Sequence, residues 1–257
     1  MCGWPEPPEH DMATIRTSDP PPAERRYFRH AGFVRITHWI SAACFTVLLM
    51  SGLQIFNAHP ALYVGDRSDF DHAVLSISRP AFPGWITLPS IQDLATGRRF
   101  HFFCAWALVL NGAFYFAWGF ISRHFFNDLL PSPAELRHIG GDFLAHLRLR
   151  FRRGAAAKRY NVLQQLSYLL VIFALFPLAI LTGLTMSPGL DSAVPQLLLL
   201  FGGRQTARLI HFAAASGLAL FVIIHLVMVL VSGVWNNLRS MITGWYDLGT
   251  PETTDVE

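Results

Sequence analysis

Residues 209–232 read LIHFAAASGLALFVIIHLVMVLVS, a run of 24 without Asp, Glu, Lys or Arg. About 20 apolar residues suffice for a helix to cross the hydrocarbon core of a bilayer, and in lipid only a helix can satisfy the backbone of such a run. The run still carries two ionisable side chains, His211 and His225, fourteen residues apart. Fourteen residues are close to four turns, so both imidazoles leave nearly the same face, about 21 Å apart along the axis. In a layer roughly 30 Å thick, one lies near each surface. Ionisable groups inside a membrane are costly and point to function by default. Two on one face suggest a device that carries something across.

Three more apolar stretches lie upstream, at 36–56, 100–121 and 164–186. They account for a chain that is 52% hydrophobic and only 14% charged, where soluble domains average about 25% charged. The expected fold is all-α and integral to the membrane: a four-transmembrane-helix bundle over residues 27–245, with no room for a second membrane domain. Residues 1–26 are rich in proline near their start and lack the apolar core of a signal peptide. A disordered cytoplasmic tail is expected there, and a second tail over 246–257.

Lys and Arg in the loops set the orientation. Fourteen of the 20 fall in the N-terminal arm, the loop 122–163 and the C-terminal tail; six fall in the loops 57–99 and 187–208. Both termini are therefore expected to be cytoplasmic. The net charge of +3 follows from this bias without invoking nucleic acid. The 43-residue outer loop 57–99 carries Tyr63, Phe70, Phe82 and Trp85 among four prolines. That composition predicts ordered structure on the bilayer or against a partner. The inner loop 122–163 is strongly basic, with an amphipathic helix expected around 133–151 and attraction to anionic lipid as its plainest role.

Topology sorts the membrane histidines. The first helix runs outward, so His38 lies on the inner side; the second runs inward, so His101 lies on the outer side. The fourth also runs inward, which puts His211 outside and His225 inside. Two pairs result, His38 with His225 and His101 with His211, each joining two helices at one depth. That is what a bis-imidazole haem requires of its axial ligands. Zinc is less favoured, because no Asp, Glu or Cys completes a four-ligand set at either level. Cys2, Cys44 and Cys104 form no CxxC or CxxCH pattern, which leaves covalent haem and iron–sulfur ligation unsupported.

Two further patterns accompany the histidines. Arg35, Arg98 and Arg208 each precede one by three residues, one turn nearer the surface on the same face. There they could meet haem propionates, although interfacial Arg is also common at helix ends. Gly52 follows His38 by fourteen residues and Gly119 follows His101 by eighteen. Both are in phase with a macrocycle needing room, as are Ala214, Ala215 and Gly217, although tight helix packing selects the same residues.

The four-helix layout, the Arg35-Ile-Thr-His38-Trp39 opening and the His-x13-His pair together resemble the bacterial di-haem b-type cytochromes. These include the formate dehydrogenase gamma subunit and the nickel–iron hydrogenase cytochrome b. Segments Lys158-Arg-Tyr-Asn-Val-Leu-Gln164 and Leu181-Thr-Gly-Leu-Thr-Met-Ser-Pro188 are similar to the branch associated with periplasmic molybdopterin oxidoreductases. The resemblance implies two non-covalent haems b, a place in the bacterial inner membrane, quinone or quinol as exchangeable substrate, and a periplasmic molybdopterin oxidoreductase as partner. It also implies a quinone contact from Asn161 and Gln164 beside the inner haem; the alternative is that these polar residues simply cap the third helix. A stand-alone cytochrome oxidising quinol or superoxide is the competing function, and a non-redox helical bundle the third. The direction of electron flow is not readable from the residues.

Overall fold

The computed structural model describes residues 26–137, 139–141, 162–187, 189 and 193–248. Four of its helices are long and apolar enough to cross a membrane: α1 (Gly32–Ala58), α2 (Leu94–Ile121), α3 (Val162–Thr185) and α4 (Arg204–Val231). Their lipid-facing sides remain exposed and apolar, as at Phe103, Phe114, Ile223 and Leu230. Within a bilayer those side chains face hydrocarbon, and packing between helices falls to small and polar residues.

α1 packs against α2 along such a seam. Its buried positions on α1 are Thr37, Cys44 and Ser51, and on α2 Gly97, Cys104 and Asn111, both at seven-residue spacing. A heptad repeat keeps one face turned to an antiparallel partner over several turns. The inner end is clamped by the Asn111 amide, which donates to Thr37 O and Ser41 Oγ, both at 2.9 Å. Cys44 and Cys104 meet at mid-seam with Leu108, under Phe176 of α3. At the outer end Gly97 lies against Gln54 Cγ, where a Cβ would come within 3.1 Å.

The helices begin earlier than the apolar stretches do. α2 starts at Leu94, six residues before the expected 100, because the Asp93 carboxylate caps it by accepting from Thr96 N at 3.0 Å. α1 and α4 likewise begin at Gly32 and Arg204. Arg35, Arg98 and Arg208 are therefore helical, their long stems carrying the charge toward the boundary. α3 contains a π-helical segment, Val171–Leu175, immediately before Phe176 and Pro177. Proline has no N–H to continue the i−4 ladder, and the Phe176 N–H reaches back to Val171 O instead. The proline is thus accommodated by this wider turn.

The outer loop is ordered, as its aromatics predicted, and shorter than expected because α2 absorbs its last residues. A two-stranded hairpin, β2 (Ala61–Leu62) with β3 (Leu75–Ser76), buries Leu62 and Tyr63. Gln54 and Asn57 on α1 pin the remainder: Gln54 Nε2 donates to Ile91 O at 2.6 Å, and the Asn57 amide bonds both backbone groups of Phe82 at 2.8 Å. The same loop caps α4, since Gly65 O accepts from Gln205 N (2.9 Å) and Thr206 N (3.2 Å). Gly203 (φ +106°) makes this close approach possible, as a side chain there would meet the Gly65 backbone.

At the inner end a short sheet joins Arg26–Phe28 to Trp245–Asp247. α5 (Val234–Thr243) leaves α4 at Gly233, and β1 (Arg26–Phe28) pairs antiparallel with β4 (Trp245–Asp247). The expected boundaries at 26 and 246 thus fall inside a small sheet. Three-residue strands carry too little period to be read in advance. Of the amphipathic helix expected over 133–151, Pro133–Arg137 is helical and most of the remainder lies outside the described residues.

Removing the seam clamp tests this packing. Asn111→Ala should lower stability by about 1–2 kcal/mol, the loss of two interhelical hydrogen bonds in a membrane protein. Reversible unfolding in mixed detergent micelles measures it, and Asn111→Gln should recover part of the loss.

Candidate functional site

The two hairpins meet so that the four membrane histidines face one another in pairs. The ring centres of His101 and His211 are 6.2 Å apart, and those of His38 and His225 are 6.3 Å apart. Each pair joins one helix of the α1–α2 hairpin to α4. A metal bound to two imidazole nitrogens at about 2 Å each separates the ring centres by roughly 6 Å, so both spacings fit one iron between two axial imidazoles. Among the described residues, no cluster of three or more His, Cys, Asp or Glu could hold a metal ion. The donor set at each level is two imidazoles, which suits a macrocycle that brings four nitrogens of its own.

Hydrogen bonding at the outer level settles which nitrogen is offered. Ser51 Oγ lies 3.1 Å from His101 Nδ1, and Thr182 Oγ1 lies 3.2 Å from His211 Nδ1. Each hydroxyl donates its single proton to the carbonyl one turn back, Val47 O and Leu178 O, both at 2.6 Å. A hydroxyl so committed can only accept from the imidazole. His211 Nδ1 also lies 2.9 Å from Ala179 O, which can only accept. Both rings therefore carry the proton on Nδ1 and present an unprotonated Nε2, the arrangement that orients ligating histidines. The inner level differs, because His38 Nδ1 is buried with no hydrogen-bond partner among the described residues. His225 is steadied by the Phe221 ring stacked at 5.9 Å.

Two of the glycines serve the rings themselves. A Cβ on Gly52 would sit 3.4 Å from His101 Cε1, and one on Gly183 would sit 3.3 Å from His211 Cε1. Gly52 thus makes room for an imidazole edge at the outer level. Sequence reading missed Ser51, Thr182 and Gly183, yet Ser51-Gly52 and Thr182-Gly183 are the same hydroxyl-glycine device on two helices. The space at Gly119 is taken by the Phe125 ring, and that beside Gly217 by Leu175, whose Cδ1 would lie 3.5 Å from an added Cβ.

The arginines divide. Arg98 is exposed one turn above His101, with its guanidinium 5.5 Å from the Phe102 ring centre. Arg208 donates to Ala61 O at 3.0 Å and His59 O at 2.5 Å, tying the outer loop to α4. Arg35 donates to Ile242 O, which tethers α5 to α1. At the start of α3, Gln164 is half-buried and Gln165 buried, while Asn161 lies outside the described residues. His30 and His124, near the inner surface, do not enter either pair. Burial, with the Arg29 cation beside it, pushes the His30 imidazole down to about 4, and His124 packs on Trp118 with ring centres 5.2 Å apart.

Comparison with known proteins gives the family. The chain matches the family described as prokaryotic cytochrome b561 over residues 29–244. It is 31% identical over 219 residues to the "Putative protein-methionine-sulfoxide reductase subunit YedZ1" of Azospira oryzae, an alignment covering 85% of this chain and 97% of that protein. No solved structure matches it.

The tautomer assignment can be read directly. Ring nitrogen-15 shifts of the full-length protein in micelles should show His101 and His211 protonated at Nδ1. Ser51→Ala should disturb His101 alone, and Thr182→Val should disturb His211 less, since Ala179 O remains as acceptor. Protonation at Nε2 in the unsubstituted protein would contradict the assignment.

Proposed function

Because the chain belongs to the prokaryotic cytochrome b561 family, a family of integral membrane electron-transfer proteins, we propose that it holds two haems b, one between His101 and His211 and one between His38 and His225. It is a multi-pass membrane subunit of electron transport. In this reading it links the quinone pool, on the inner side, to a periplasmic oxidoreductase, of the molybdopterin class, on the outer side. The observation that carries the reading is the matched pair of imidazole spacings, 6.2 Å and 6.3 Å, at the two ends of α4. When bound, haem iron supplies reversible one-electron chemistry, which no side chain of the bundle provides.

The residues of this chain then have distinct tasks. Ser51 and Thr182 hold the outer rings in one tautomer and orientation, so that Nε2 faces its partner. The committed Nδ1–H raises ligand basicity, and with it the preference for the oxidised metal. Arg98 and Arg208 place cations one turn above the outer pair, where carboxylates of a haem would need them. Arg35 would stand likewise one turn from the inner pair, with one guanidinium nitrogen engaged by Ile242 O of α5.

The outer loop supports a docked partner. It is pinned at Gln54, Asn57 and Gly65, yet leaves Phe70 and Trp85 exposed at 76% and 81%. Rigid, exposed aromatics rimmed by polar residues are typical of protein contact sites. The relative's description as a reductase subunit favours electrons running outward, from quinol through the inner pair to the outer pair and on to the partner. Both termini then lie in the cytoplasm, in keeping with the positive-inside bias.

Spectroscopy of purified variants tests the reading. The full chain should show b-type bands in a reduced-minus-oxidised spectrum, with haem and protein in a ratio near two. His101→Ala or His211→Ala should each remove the outer haem and leave most of the inner one. His38→Ala or His225→Ala should do the reverse. Equal loss of both haems from every substitution would overturn the pairing, and a spectrum without b-type bands would overturn the function.

A further inference from the structure

Behind each outer imidazole stands the same short device, a hydroxyl residue followed by glycine: Ser51-Gly52 on α1 and Thr182-Gly183 on α3. At the inner level, His38 Nδ1 is buried with no hydrogen-bond partner among the described residues. We propose that Ser51 and Thr182 set the outer site to release an electron more readily than the inner one, so that a single electron in the bundle rests between His38 and His225. The inference rests on reading the two histidine pairs as axial ligands of two haems.

Three observations carry it. First, the outer support is committed. Ser51 Oγ and Thr182 Oγ1 each give their proton to a carbonyl one turn back at 2.6 Å. Each therefore faces its imidazole, at 3.1 and 3.2 Å, as an acceptor, and Ala179 O adds a second acceptor to His211 Nδ1 at 2.9 Å. Second, the support is dry. Ser51 and Thr182 are both 0% exposed, and a hydrogen bond at low dielectric polarises its partners more than one in water. An imidazole whose N–H is held in this way donates more electron density from Nε2, which favours the oxidised metal. Third, the inner rings lean on aromatic neighbours instead: Phe221 stacks on His225 at 5.9 Å, and Trp39 meets His38 edge to face at 5.4 Å. Charge does not reverse the order. Arg98 and Arg208 stand above the outer pair, but Arg208 is engaged with Ala61 O and His59 O. Cations stand at the inner level too, where Arg29, Arg35 and His38 all lie close enough to act on His30.

Exchange between the levels moves one electron and no proton. Its equilibrium follows from the difference in potential alone: a gap of about 59 mV leaves about ten electrons at the inner level for each one at the outer. A bundle holding one electron then keeps the site under the outer loop oxidised, with the electron at the far end of α4. An acceptor docked outside draws on that minority, which the inner level refills. Ser51 and Thr182 are thus positioning residues for electron transfer, acting through the histidines they hold.

Redox titration of the full-length protein in lipid nanodiscs, followed at the visible b-type bands, tests the order. The unsubstituted protein should titrate in two one-electron steps. His211→Ala, which leaves the inner site, should keep the higher step, and His38→Ala should keep the lower. At a fixed poise, Ser51→Ala combined with Thr182→Val should raise the reduced-to-oxidised ratio of the outer site about tenfold, a shift of about 59 mV, and leave the inner step in place. Ser51→Thr combined with Thr182→Ser, which keeps both hydroxyls, should hold the unsubstituted potentials. Should the apolar double variant lose its outer haem, Thr182→Val alone supplies the measurement, with a smaller rise because Ala179 O remains. Coincident steps, the lower step surviving in His211→Ala, or equal movement of both steps or of neither in the apolar variants would overturn the inference while the two-haem function stands. Absence of b-type steps from the unsubstituted protein would overturn that function too.

Discussion

An imidazole buried among apolar helices can offer one nitrogen to a metal only if the other is satisfied by the protein. At the outer level that condition fixes much else. Ser51 and Thr182 must each give their own proton to a carbonyl one turn back, so that they face His101 and His211 as acceptors. Gly52 and Gly183 follow them, and a Cβ there would stand only 3.4 and 3.3 Å from the ring edges. The helices carrying these residues must then hold their rotation to within a fraction of a turn. The heptad seam between α1 and α2 does so for the first pair of supports.

The inner level is built on a different plan. Among the described residues His38 Nδ1 has no comparable acceptor, and His225 leans on Phe221. Around it the chain gathers its own ends: β1, β4 and α5 wrap the start of α1, and Arg35 and Trp39 reach across to their carbonyls. One end of the bundle is thus rigid through hydrogen bonds to its histidines, while the other is enclosed by secondary structure added outside the membrane. Such an asymmetry suits two sites that exchange with different things. The outer pair lies under a pinned loop that leaves Phe70 and Trp85 exposed, whereas the inner pair lies beside the junction of α1 with α5.

Much of this was legible in the sequence. Length and apolarity determine four spans, and the helical pitch with alternating direction determines which histidines share a depth. The supports were not legible, since no local signal says that Thr182 of α3 will meet His211 of α4. That contact depends on the wider turn at Val171–Leu175, which a helix of uniform pitch does not anticipate. Gly52 was noticed for its phase and Gly119 for its phase too, yet one faces an imidazole and the other a phenyl ring. Phase reports the side of a helix on which a residue lies, not the neighbour that occupies it. The helix starts were hidden for another reason. Arginines at 35, 98 and 208 end an apolar window without ending a helix, because their stems remain in the apolar layer and only the charge leaves it.

The wider turn in α3 has a consequence of its own. A helix that admits one extra residue in a turn advances its later side chains by about 100° relative to an uninterrupted one. The two halves of α3 are therefore set at independent angles: Gln165 is aimed by the inner half, and Thr182 with Gly183 by the outer. Evolution of this family could retune either end by insertion or deletion of a single residue at Val171–Leu175, leaving the other end's aim untouched. In that sense α3 is a coupling with an adjustable angle rather than a rod.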